Sequence, residues 1–178
     1  LICEEKLFFN LYENTTSDPT NYNMLPTPDN GVIIIGQVRR TNPLDPYDGL
    51  ISKINNQGYT EWSKQIDGAG TQSLVDISRL SDGNFIVFGV ARDNVSIGFF
   101  LFKIDALGNI LWRKDYGIPH VGEAFGKITI KEDADGSLFI ATKFLENGLS
   151  FSDRVLFIKT DNNGNIIFSK YYTPSNPI

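Results

Sequence analysis

The chain has 178 residues, of which 41% are hydrophobic and 12% aromatic, so it is long enough for one domain with a core and too apolar to stay disordered. Lys and Arg number 16 against 21 Asp and Glu, a net charge of -5, which removes the electrostatic footprint of a nucleic-acid binder. No apolar run nears the roughly 18 to 20 residues that span a bilayer. The single cysteine excludes an internal disulfide, and with the single histidine it argues against Cys- or His-based metal sites.

In chain order, the first landmark is Cys3, set after apolar Leu1 and Ile2 and before two acids. Such a cysteine suits a bacterial lipid anchor, and it equally suits a small buried hydrophobe in an initial strand. Residues 6–12 then read as a strand. From there two signatures alternate. One is a turn followed by an apolar run: DNGVIIIG from Asp29, SDGNFIVFG from Ser81 and ADGSLFIAT from Ala134. Its turn glycines are taken as Gly31, Gly83 and Gly136. The other is KINNQGYTEWSK from Lys53, KIDALGNILWRK from Lys103 and KTDNNGNIIFSK from Lys159. It aligns Gly58, Gly108 and Gly164, and Trp62, Trp112 and Phe168. Two landmarks recurring together mark an internal repeat.

Each unit predicts four short antiparallel strands. In the second unit these are residues 74–80, 85–91, 99–104 and 110–116; in the third, residues 125–131 open the unit and 166–172 close it. Asp-Gly and Asn-Gly pairs supply the positive φ of tight hairpins, and no stretch keeps apolar residues at helical spacing for three turns. The units run over residues 13–66, 67–116 and 117–173, with strand 6–12 resembling the fourth strand of a preceding unit. A four-stranded unit of about 40 to 50 residues is the signature of a β-propeller blade. Trp62 and Trp112 are expected between neighbouring blades, where each ring removes about 150 to 250 Å² from water.

The stretch KIDALGNILWRKDYG, residues 103–117, resembles the repeats of quinoprotein-like (PQQ-like) propellers and, more closely, those of secreted and surface propellers of Bacteroidetes-type bacteria. Asp105, Gly108 and Trp112 match that pattern; Asn55 stands in for the Asp in the first unit and Phe168 for the Trp in the third. The resemblance implies a propeller whose Trp docks against the next blade. It also implies an envelope or secreted location, and with it the acids after Cys3 resemble a surface-export signal. The Asp-to-Gly spacing is one residue shorter than in the quinoprotein repeat, so no cofactor is carried over.

Propellers close with about four to eight blades. Three units leave two apolar end faces, more than a soluble monomer shows. Three arrangements follow: a piece of a longer propeller, copies combining into a ring, or an arc capped by a partner protein.

Chemistry has few anchors. His120 lies in YGIPHVGE with Glu123 nearby and no nucleophile elbow, which reads as a solvated loop histidine. The runs 161–165 and 133–137 carry oxygens that suit calcium, yet lack Gly at the sixth position, and both fit metal-free turns. Paired carboxylates could serve a glycosidase. Ligand contacts are expected on the loops between second and third strands, residues 39–48, 92–97 and 143–153, and between units, residues 67–72 and 117–123. Arg39, Arg40, Tyr47, Arg92, His120 and Phe151 are the candidates there, against the alternative of ordinary surface loops. The expected function is a non-catalytic binding or scaffold module contacting protein or glycan. The alternative is part of a quinoprotein-like or carbohydrate-active enzyme.

Overall fold

The computed structural model describes residues 20–39, 46–93, 97–118, 128–145 and 153–172. Strand 6–12 and candidates Cys3, Arg40, His120 and Phe151 lie outside them. The first sheet holds β1 (Thr20–Pro26), β2 (Val32–Arg39), β3 (Tyr47–Ile54) and β4 (Thr60–Ile66). The second holds β5 (Thr71–Arg79), β6 (Phe85–Arg92), β7 (Ile97–Ile104) and β8 (Ile110–Ile118). The third holds β9 (Ile128–Glu132), β10 (Leu138–Leu145), β11 (Asp153–Thr160) and β12 (Ile166–Tyr172). Each is a four-stranded antiparallel meander with strands in sequence order. The protein is all-β, and the three sheets form an unclosed row with the second in the middle.

The middle sheet explains the runs FIVFGV and FFLFKI, which do not alternate with polar residues. Both of its faces are buried, so both parities must be apolar. Phe85, Val87, Phe100 and Phe102 pack on Ile33, Ile35, Ile51 and Ile66 of the first sheet. Ile86, Phe88, Phe99 and Leu101 pack on Ile130, Leu138, Ile140 and Ile158 of the third.

The first and last hairpins of each sheet, six in all, share one turn. The amide of its first residue donates to the carbonyl of the fifth, and the amide of the fourth donates back to the carbonyl of the first. The fourth residue has positive φ, as expected of a type I turn followed by a left-handed bulge residue rather than a two-residue hairpin. This corrects one alignment. The equivalent of Gly83 and Gly136 in the first unit is Asn30, at φ 62°, and not Gly31. Asparagine tolerates that conformation.

The strand ends shift too. β5 begins before residue 74, at Thr71, and of the expected strand 125–131 residues 125–127 lie outside the described ones. Ladder pairing carries β2 and β3 out to Arg39 opposite Tyr47, and β6 and β7 out to Arg92 opposite Ile97. Arg39, Tyr47 and Arg92 are therefore strand-end residues rather than loop residues.

The shared lysine of the second signature clamps the first turn of its own sheet. Lys53 Nζ lies 2.8 Å from Asp29 Oδ2, Lys103 Nζ 2.6 Å from Asp82 Oδ2, and Lys159 Nζ 3.4 Å from Asp133 Oδ2. The shared aromatic instead joins one sheet to the next. Trp62 Nε1 donates to the Ala106 carbonyl at 3.2 Å, with its ring over Gly108. Trp112 lies in the same way over Gly164. The Tyr116 hydroxyl donates to the Gly164 carbonyl, and burial pushes its phenol above the ordinary value. At the first strands, Asp76 of β5 accepts from Asn23 Nδ2 at 2.8 Å and from the amides of Ile77 and Ile130. One carboxylate thus ties β1, β5 and β9 together.

Candidate functional site

The end of the molecule that carries the connections after β2 and β4 holds an open cleft of about 670 Å³, lined by Asp48, Gln65, Asp67 and Gly68. Asp48 is the second residue of β3 and Gln65 nears the end of β4, and Gln65 Nε2 donates to Asp48 Oδ2 at 2.5 Å. Asp67 and Gly68 begin the connection to β5. The buried amide of Gln72 packs against Gly68, where an added Cβ would stand 2.7 Å from it. Gln72 Nε2 donates to the Ala69 carbonyl at 3.1 Å. Its Oε1 is buried with no hydrogen-bond donor among the described residues. Such an acceptor is costly to leave unpaired.

The described candidates do not converge on this cleft. Arg39 and Tyr47 pair with each other: the guanidinium sits 4.8 Å from the ring centroid, and Nε donates to the hydroxyl at 3.1 Å. Strand alternation sets them on the face toward the second sheet, together with Gln37, which accepts from Ser73 Oγ at 2.6 Å. Asp48 and Gln65 are on the opposite face. Arg92 is exposed at the end of β6, in another sheet.

The oxygen-rich turns spend their oxygens on themselves. Asp161 accepts from the amides of Asn163 and Asn165 and from Asn165 Nδ2, at 2.8 to 2.9 Å. Asp105 does the same with Leu107 and Asn109. These bonds hold both carboxyls below the usual carboxylate range, the side-chain bond from Asn165 or Asn109 acting most strongly. At the other turn, Asp135 takes both the amide and the hydroxyl of Ser137. The turn geometry accounts for the pattern without a metal.

No motif marks the cleft in the sequence. Its lining residues come from two separate segments, and only the expectation of a ligand face at this end pointed toward it. Comparison with protein-family models yields no match, and comparison with curated proteins yields none.

Proposed function

We propose that the three sheets are β-propeller blades of a bacterial secreted or surface protein, acting as a non-catalytic binding and scaffold module for glycan or protein. The blade reading is supported by the repeated meander, the row of sheets with aligned first strands, and the aromatic carried from the first sheet onto a turn of the second and from the second onto a turn of the third. The binding reading rests on one observation: two carboxylates and an amide line an open cleft. That set offers mainly acceptors, which suits a hydroxyl-rich glycan. The surface location rests on Cys3 and the acids that follow it, and an acyl group found on Cys3 by mass spectrometry tests it.

The binding test is a glycan array probed with the chain, followed by calorimetry on the best ligand. Saturable binding that weakens about tenfold in Asp67→Ala supports the reading. Absence of any bound glycan, or affinity indifferent to Asp67 and Asp48, ends it. The competing class is a propeller enzyme, quinoprotein-like or carbohydrate-active. Two carboxylates in one cleft are what favours it, and turnover of the bound glycan decides between the two.

A further inference from the structure

We infer that the outer face of the third sheet seats a further four-stranded blade of this repeat, whose Asp-x-x-Gly turn receives Phe168. The inference rests on the blade reading and adds the partner and the contact.

The face has the composition of a buried one. Phe139 and Phe157 stack at 5.5 Å between ring centroids, with Phe168 at 6.0 Å and Tyr172 at 6.4 Å from Phe157. Its residues occupy repeat positions that are covered elsewhere. Val155 is 42% exposed where Phe99 is 4%, and Tyr172 is 54% exposed where Ile66 is 6%. An antiparallel sheet with one wet face alternates apolar and polar residues. Here both parities of β11 are apolar through Val155, Leu156, Phe157 and Ile158, as in the middle sheet.

What fits the face follows from the contact that already recurs twice. Trp62 pairs with Lys53 across its sheet, Trp112 with Lys103, and Phe168 with Lys159. The first two rings lie on the turn glycine of the following sheet. Phe168 has the same register and no such glycine against it among the described residues. The first sheet of a second copy is a poor occupant. Its turn at Gly58 has nothing within 4 Å of an added Cβ, but the apolar face behind that turn is already closed. Ile34, Ser52 and Ile54 are each under a tenth exposed. The complement is therefore a different blade of the same kind.

The test places a photo-cross-linker, p-benzoylphenylalanine, at position 168 of the native polypeptide expressed in full in its own host. Mass spectrometry then identifies the captured peptide. The expected product contains an Asp-x-x-Gly or Asn-x-x-Gly turn from outside residues 55–59. Its yield falls about tenfold in Val155→Glu, an exposed position whose fold is checked by circular dichroism. Four outcomes overturn the inference: capture of residues 55–59 or of Phe139 or Phe157 from a second copy, capture of a peptide without such a turn, no capture, or a yield indifferent to Val155→Glu. The same cross-linker at position 112 must capture residues 161–165. Failure there sinks the blade reading itself, whereas failure at 168 alone sinks only the added partner.

Discussion

Trp112 lies so close over Gly164 that a methyl group on that glycine would stand 2.9 Å from the ring. Gly164 also has φ 78°, a conformation that costs an L-residue about 1 kcal/mol or more. Gly164→Ala therefore combines backbone strain with displacement of the ring, and about 2 to 4 kcal/mol of stability is expected to go. Gly58, at φ 85° with open space around it, isolates the first contribution, and Gly58→Ala is expected to cost only about 1 kcal/mol. Chemical denaturation of both variants checks the difference; equal losses would mean that the ring contact contributes nothing.

Lys53 is buried between two carboxylates, Asp29 at 2.8 Å and Glu61 at 3.0 Å. Lys159, its counterpart, is more open and holds Asp133 only at 3.4 Å, with its ammonium 4.7 Å from the Phe139 ring centroid. Methionine keeps most of the stem and removes the charge. Lys53→Met is expected to cost about 1 to 2 kcal/mol and Lys159→Met about 0.5 kcal/mol. A reversed order in thermal denaturation would contradict the clamp as described.

Asp76 gathers one side-chain donor and two backbone donors. Asparagine at that place must turn its NH₂ toward one of them. Asp76→Asn is expected to cost about 1 to 3 kcal/mol. Hydrogen exchange should show the loosening at Ile130, across the junction in the third sheet, as well as locally. Exchange unchanged at Ile130 would remove the tie between sheets.

Stability is expected to fall on acidification. Asp29 is held below the ordinary carboxylate range, chiefly by the Lys53 hydrogen bond, and Asp105, Asp135 and Asp161 by bonds from Asn109, Ser137 and Asn165. In Asp82 partial burial works upward, yet Lys103 and Asn84 together bring it down. A depressed folded-state value stabilises fully above the unfolded value near 4 and is lost as pH falls through the folded one. Asp76 works against this trend, because burial raises it and the cost of burying its charge is relieved as it protonates. Five groups outweigh one, so the melting temperature is expected to hold above about pH 5 and decline below about pH 4. Asp105→Asn combined with Asp161→Asn should flatten the decline, and a melting temperature that rises on acidification would refute the assignment.

Much of the fold was legible because the repeat makes the same statement three times. Gly108 and Trp112 marked a turn and a strand, and β12 falls on residues 166–172 as read. The Gly31 alignment failed because the fourth turn position needs positive φ, which Asn30 supplies as well as glycine does. Arg39 and Tyr47 read as loop because Pro43 and Pro46 punctuate the segment between them, whereas pairing in register extends both strands to those residues. The partner of Lys53 was not legible: Asp29 is 24 residues away, and a strand lysine reads as a solvated charge. The cleft was hidden for a related reason. Asp48 meets Gln65 only once β3 and β4 are laid side by side.

Because Trp62 and Trp112 each rest on the sheet that follows in the chain, every junction is made between consecutive repeats. Gene duplication can then add a module at little cost, since the newcomer arrives with both the ring for its successor and the glycine for its predecessor. Phe168 where the other units have Trp, and Asn55 where they have Asp, still leave an aromatic ring and a turn acceptor at each of those positions.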